Sequence, residues 1–353
     1  MTGTVRIGVI GAGMIGNEHL KAFAALEGAE VAGVADAHLP AAERRAQEYG
    51  VKAYETPQAL IDDPSIDAVV IGVPNRHHAP LAIAAMERGK HVLLEKPMAI
   101  SEEAARDILE AQRRTSRVLM MAHQMRWTGI ARAVKARIDA GDLGRVYNAK
   151  TGWLRKKGIP GWGSWFTRMD EAGGGPLIDI GVHMLDLTLH LMGNPKPVSV
   201  YGTTYAEFGP RREGLGDWGT PDWNGYYDVE DLATALIKLD NGATLSLEVS
   251  WAAHAAGLPD GPFVHLMGTE GGIGIVAGKG VFVTHRDGRI VEEEITPAEG
   301  EPERTLLSRH FVECVRDGKE PLTSALSGYV NNRILGAIYE SSRTGGEVKL
   351  SWD

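Results

Sequence analysis

Lys96 stands between Glu95 and Pro97 at the end of the apolar run 90–94 (KHVLL). Proline fixes its own φ and biases the preceding residue toward an extended shape, so the amine is presented stiffly from a strand end. A lysine whose surroundings lower its pKa can polarise or deprotonate a hydroxyl beside a hydride acceptor. Glu95 is either a ribose contact or a loop charge. A second group lies in Gly173-Gly174-Gly175-Pro176-Leu177-Ile178-Asp179-Ile180-Gly181-Val182-His183-Met184-Leu185-Asp186. The glycines end one segment, and Pro176 can open a helix because its missing N–H is not needed there. Asp179 and His183, four apart, share a face of that helix. Histidine exchanges a proton near neutrality, and a carboxylate can orient its ring. Asp186 and His190 continue the stripe on an otherwise apolar helix, where buried polar groups need partners. Structural hydrogen bonds are the simpler reading for that second pair, and chemistry for the first. The spacing is not a trusted zinc pattern, and no metal site is expected.

A phosphate-binding device precedes both groups. The apolar run 5–10 leads into Gly11-Ala12-Gly13-Met14-Ile15-Gly16, a G-x-G-x-x-G that opens a helix. Gly11 permits the turn, Gly13 lets a pyrophosphate approach the backbone, and Gly16 permits close packing. The helix start offers N–H groups and partial positive charge. Asp36 closes the next strand, 20 residues after Gly16, where a carboxylate can hold the ribose of a dinucleotide. Its neighbours Ala37 and His38 supply no lysine or arginine for a 2′-phosphate, which favours NAD over NADP. Asn75, after the strand at 66–73, either caps the next helix or also touches the cofactor. His78 either faces the cofactor or lies on the helix surface.

The elements that must position these groups change character midway. Strands at 5–10, 29–35, 66–73, 90–94 and 117–122 alternate with helices, the pattern of a doubly wound parallel sheet. This first domain is placed at 1–123. From 124 to 353 the pattern is α+β. Long strands at 145–154, 198–206, 232–239 and 243–251 precede shorter ones, and helices at 305–316 and 325–342 close the chain. Asn241-Gly242 marks a hairpin. The sheet is expected to be large, mainly antiparallel and open. The stretch 207–229 has no clear period; loops of this length are commonly functional or interfacial. Arg155, Trp165 and Arg168 precede the glycine triplet. They are either sugar contacts, through aromatic faces and cationic donors, or ordinary packing beside a basic loop. His254, Tyr227 and Asp228 are weaker pocket candidates.

Composition sets bounds. The chain has 353 residues, 43 % hydrophobic and 24 % charged, enough for about two domains. A net charge of −9 disfavours a general nucleic-acid or membrane-surface binder. One cysteine, Cys314, allows no intrachain disulfide and sits in a helix-like apolar run, where core packing is its expected role. The opening residues carry no secretory pattern, and no apolar run is long enough to span a bilayer. A cytoplasmic location is the expectation.

Taken together, Gly11-x-Gly13-x-x-Gly16, Pro74-Asn75 with His78, Glu95-Lys96-Pro97, and the glycine triplet followed by Asp179, Gly181 and His183 resemble the glucose–fructose oxidoreductase / inositol dehydrogenase / rhizopine catabolism (Gfo/Idh/MocA) family. The closing stretch from Pro321 to Gly346 is also similar to the family's end. The resemblance implies a Rossmann domain followed by an α+β domain whose open sheet mediates a homodimer or homotetramer. It implies oxidation or reduction of a secondary alcohol or carbonyl on a sugar, sugar derivative or cyclic polyol. Lys96, Asp179 and His183 would handle the proton. The cofactor would touch Gly11, Met14, Ile15, Asp36, Asn75, His78, Glu95 and Lys96. Two other readings stay open: a glycosidase-like enzyme that uses tightly bound NAD in a transient redox cycle, and a non-catalytic cofactor-binding regulator. The intact Lys96, Asp179 and His183 argue against the regulator.

Overall fold

The structure, a computed structural model, describes residues 3–258 and 260–352. The chain folds as two compact units. The first is built from the residues up to Trp127 together with Glu301–Tyr329, and the second from Thr128–Gly300 and the residues from Val330 on.

In the first unit, β1 (Val5–Ile10), β2 (Ala29–Ala35), β3 (Lys52–Tyr54), β4 (Ala68–Ile71), β5 (His91–Leu94) and β6 (Leu119–Met121) form one sheet. Its order is β3-β2-β1-β4-β5-β6, and every pairing is parallel. β4 and β5 are buried along their whole length, as expected of strands covered on both faces. The order reverses between β1 and β4, so the carboxyl ends of these two strands frame a crevice of the kind that takes dinucleotides. The helix Glu102–Thr115 shows how local sequence sets an element. Ser101 Oγ accepts the Ala104 N–H at 3.1 Å, acids occupy the first turn, bases the last, and Ala105, Ile108, Leu109 and Ala111 face inward.

The division at residue 123 needs one correction. The helix Glu303–Asp317 places Leu307, Phe311, Val312 and Val315 in the same core as Ile7, Val9, Phe23 and Val70, so this late segment completes the first unit. Phe311 packs edge-on to Phe23, with ring centroids 6.3 Å apart. Cys314 on this helix is buried, and burial pushes its thiol up to about 12, which keeps it protonated and inert.

In the second unit, nine strands form one sheet: β7 (Val146–Leu154), β8 (Pro197–Tyr205), β9 (Leu232–Leu239), β10 (Thr244–Ser250), β11 (Gly261–Gly268), β12 (Gly271–Val276), β13 (Lys279–Arg286), β14 (Arg289–Ile295) and β15 (Val348–Lys349). The order is β14-β13-β12-β11-β7-β10-β9-β8-β15. β7 and β10 run parallel; the other pairings are antiparallel. The β9–β10 hairpin turns at Asn241-Gly242, where Gly242 has a φ of +83° and Asn241 Oδ1 accepts the Ala243 N–H. Along β9, Ala233, Ala235, Ile237 and Leu239 are buried while Leu236 and Lys238 are exposed. One face of the sheet is therefore packed, and the other presents side chains outward. The segment Leu177–Leu191 lies on the packed face, against β7, β10 and β11. Among the described residues, no helix is long and apolar enough to cross a membrane.

Candidate active site

The glycine loop joins β1 to the helix Met14–Ala24, and its three glycines have different neighbours. Gly11 has a φ of +109°, and a Cβ there would lie 2.2 Å from the Gly72 carbonyl oxygen; one on Gly16 would lie 1.8 Å from that of Gly11. Both contacts are internal, so these two glycines serve the close strand–turn–helix packing. A Cβ on Gly13 would meet nothing within 4 Å, so no part of the protein requires glycine there. The helix starts at this residue without a side-chain cap, and Met14 beside it is 53 % exposed. Asp36 reaches across from the end of β2. Its Oδ2 accepts the Ala12 N–H at 2.7 Å and its Oδ1 the His38 N–H at 2.8 Å. The carboxylate is thus pinned at the loop, as a ribose ligand must be. An uncapped helix start, an open Gly13 and a fixed acid suit a dinucleotide: Gly11–Gly16 would hold the pyrophosphate and Asp36 the ribose. Ile15 packs beside Gly72.

Glu95, in the lysine loop, and His78 both lie deeper than a loop or surface position. Glu95 is not a solvated loop charge; it is buried at 6 % exposure. Its Oε1 lies 2.9 Å from His19 Nε2 and 3.3 Å from Arg304 Nη1, and its Oε2 accepts the Lys96 N–H at 3.2 Å. Burial alone would raise its pKa; the His19 hydrogen bond and the charges of Arg304 and Lys96 outweigh burial and hold it well below the usual carboxylate range. His19 is lowered as well, by burial, which favours its neutral form. Its Nδ1 has no hydrogen-bond partner among the described residues, so an imidazolium would leave a buried N–H unmet. A neutral ring donating Nε2–H to an ionised Glu95 makes this contact and leaves no buried N–H unmet.

His78 is not a surface residue. It is fully buried, with Nδ1 2.7 Å from the Pro97 carbonyl and Nε2 3.0 Å from the Val73 carbonyl. Burial lowers its pKa despite these two acceptors. A neutral ring donates once, and the shorter contact, to Pro97, takes the proton. Both ring nitrogens are thereby turned to backbone, so His78 supports the lysine loop rather than offering them to a ligand. Asn75 forms the short turn Asn75–His77 ahead of the helix His78–Glu87. Lys96 itself is half-buried, and its peptide bond to Pro97 is cis.

In the second unit, Pro176 opens the helical segment as expected, but its start, Leu177–Gly181, is a π-helical turn that runs on into the α-helix Val182–Leu191. Such single wide turns are frequent at functional sites. Four α-helical steps overshoot one revolution, and the wider turn removes overshoot, so Asp179 and His183 share a stripe more closely than regular helix allows. Asp179 Oδ2 accepts Trp251 Nε1–H at 3.1 Å. The His183 ring lies 6.4 Å from that of Trp153, over which Arg155 places its guanidinium at 5.0 Å. Asp186 accepts a hydrogen bond from Asn331 at 3.1 Å, in keeping with the structural reading of that residue.

Residues 207–229 are tied down along their length. Trp162 Nε1 donates to the Gly209 carbonyl at 2.8 Å, and Trp162 shares an apolar cluster with Ile159, Ile180 and Trp251. Arg168 donates to the Gly163 carbonyl at 2.9 Å and to Asp222 at 2.6 Å, which ties its Nε and Nη2 to this loop. Trp165 packs on Phe166 and Phe166 on Trp218, with centroids 3.8 and 4.6 Å apart. Asp228 accepts the Met169 N–H, and Tyr227 donates to the Glu230 carbonyl. His254 lies edge-on to Phe208. Sequence reasoning missed His19, Arg304, Trp251, Glu230 and Tyr339; only a hydrogen-bond map finds them.

The sheet order and the glycine loop define a dinucleotide-binding fold. Residues 5–123 match the family model described as "Oxidoreductase family, NAD-binding Rossmann fold", and residues 131–274 match the "GFO/IDH/MocA C-terminal domain". The chain is 30 % identical to D-glucoside 3-dehydrogenase of Escherichia coli (strain K12), over 98 % of this chain and 97 % of that protein. It is also 30 % identical to scyllo-inositol 2-dehydrogenase (NAD(+)) of Bacillus subtilis (strain 168), over 98 % and 96 %. Among solved structures, levoglucosan dehydrogenase in complex with NADH and levoglucosan superposes with a TM-score of 0.87 at 26 % identity, covering 98 % of this chain and 99 % of that one. The chain belongs to the Gfo/Idh/MocA oxidoreductase family.

Proposed function

We propose that this protein is an NAD-dependent dehydrogenase that oxidises a secondary alcohol, or reduces the matching carbonyl, of a sugar, sugar derivative or cyclic polyol. The observation that carries the reading is the open Gly13 at an uncapped helix start, with Asp36 fixed beside it. When bound there, the nicotinamide supplies hydride chemistry. His183 takes the proton of the reacting hydroxyl, and Asp179, held by Trp251, orients the imidazole or binds a neighbouring hydroxyl. Lys96, on a loop stiffened by Glu95 and His78, stabilises the developing negative charge on that oxygen. Trp165 and Arg155 are weaker candidates for sugar contacts. The relatives named above act on glucosides and inositols, which supports the substrate class. The reading also includes a cytoplasmic location and self-association through the open sheet face, where Tyr201 and Leu236 are exposed.

The test is NADH formation across inositols, aldoses, glycosides, anhydrosugars and uronic acids, with NADP in parallel. Turnover of at least one polyol or sugar, with higher kcat/KM for NAD, is expected. Tight cofactor binding without turnover of any of them would overturn the assignment. Release of a leaving group without net NADH would replace it with the transient redox cycle of a glycosidase-like enzyme.

A further inference from the structure

Glu230 lies between the long loop and β9 and is 5 % exposed. Its Oε2 accepts the Gly175 N–H and its Oε1 the Leu177 N–H, each at 3.0 Å. The Tyr339 hydroxyl, from the helix Ala325–Thr344, sits 3.0 and 3.1 Å from the same two oxygens. The glycine triplet is shaped around this pair. A Cβ on Gly174 would lie 1.8 Å from the Tyr339 hydroxyl, and one on Gly175 would lie 2.0 Å from the Glu230 carbonyl oxygen. Gly175 also accepts the Asp179 N–H at 3.0 Å. A continuous chain of hydrogen bonds therefore runs from Tyr339 through Glu230 and Gly175 to the backbone of Asp179.

We propose that Glu230 and Tyr339 are positioning residues for the reaction, and that the ionised Glu230 carboxylate holds the π-helical turn in the register that presents Asp179. The proposal rests on the assignment of Asp179 and His183 to the chemistry. An ionised carboxylate is acceptor-only and can take both backbone N–H groups and the tyrosine hydroxyl. A protonated one can donate to the tyrosine hydroxyl, and the two backbone N–H groups then lose their charge-assisted bonds. The weakening occurs where the helix begins, so it loosens the turn rather than the sheet beneath.

Burial pushes Glu230 up to about 7, opposed by the Gly175 and Leu177 N–H groups and the Tyr339 hydroxyl. The titratable groups around it are Tyr339, which burial raises well above its ordinary value, and Tyr227, Asp228 and Asp231 on its own segment. Asp170 and Glu171 belong to the short helix Met169–Ala172. Asp228 and Asp231 are engaged with backbone N–H groups of Met169, Phe208 and Gly209. A groove of ≈ 330 Å³, lined by Met169, Thr204, Pro210, Tyr227, Glu230 and Tyr339, gives protons a path to the pair.

The experiment compares kcat against pH for the holoenzyme, Glu230→Gln, Tyr339→Phe and His183→Ala, on a sugar or polyol the wild type turns over. Melting temperature and NADH affinity are read in parallel. Glu230→Gln should lower kcat about tenfold or more at alkaline pH, with NADH affinity unchanged. Tyr339→Phe removes a donor to the carboxylate, so its acid limb should move up by about one pH unit. Folded variants with the wild-type kcat and limb would overturn the proposal. So would a loss that is equal at every pH with the limb unmoved, which is mere support of the fold. If Glu230→Gln does not fold, the Tyr339→Phe limb decides. Retained turnover in His183→Ala instead overturns the assignment of the chemistry, whatever the limb does.

Discussion

Each unit buries a glutamate beside a candidate catalytic segment, and the two are satisfied in opposite ways. Glu95, next to Lys96, faces Arg304 and the His19 ring, and these hold it ionised far below its usual range. Glu230, beneath the turn that carries Asp179, faces two backbone N–H groups and a tyrosine hydroxyl, and burial wins, leaving it at about 7. The difference follows from the partners. A cation offsets the desolvation of a carboxylate in a way that neutral donors only partly match. The lysine loop is therefore held by a charge that does not change over the working pH range. The helix start at 177–181 is held by one that does.

Four outcomes would sharpen or break this contrast. The largest concerns chemistry alone: His183→Ala should lower kcat by about 10²–10⁴ with cofactor binding intact, as stopped-flow turnover and NADH titration would show. Next comes the pH dependence of stability. A glutamate raised from 4.5 to about 7 stabilises the fold fully below 4.5, and that contribution, about 3 kcal/mol, is lost as pH rises through 7. Melting curves of Glu230→Gln should lack this loss. Glu95, being depressed, has the opposite sign: its contribution is present above 4.5 and is lost as pH falls toward the folded-state value. A common slope for the two would break the comparison.

A smaller effect attends Glu95→Gln at neutral pH. Arg304 is 18 % exposed, so its orphaned charge is partly solvated, and a loss of about 2 kcal/mol in urea unfolding is expected, below the range for fully buried pairs. The smallest is Gly13→Ala. Its new methyl meets no protein atom, so the melting temperature of the cofactor-free protein should hold, while NADH affinity falls about tenfold if a phosphate approaches that backbone. An equal affinity would move the pyrophosphate elsewhere.

What could be read from the chain depended on how local the determinant is. The glycine loop and Asp36 were legible because a strand, a turn and a helix start lie within a few residues of one another, and each glycine's use follows from geometry. That the first sheet is parallel and doubly wound could be inferred from the alternation of periods; its strand order could not. The helix Glu303–Asp317 was assigned to the wrong unit because its apolar stripe reads the same whichever sheet it covers; only Phe311 against Phe23 decides. For His78 and Glu95 a cofactor contact and a surface position both stayed open, because a polar residue at a loop does not announce the carbonyls or cations around it. Glu230 was invisible, since Gly175 and Tyr339 are 55 and 109 residues away. The π-helical turn was hidden too, because apolar spacing does not register one residue more than a regular helix needs.

That extra residue has a consequence for the history and engineering of the chain. Deleting any one position within 177–181 would restore an unbroken α-helix at little cost to its hydrogen bonding. Everything ahead of the deletion would then rotate by about 100° about the helix axis. The tolerance of this segment to insertion and deletion should accordingly be near zero even where substitutions are accepted, and a surviving shortened variant would have to have moved its acid to a new address.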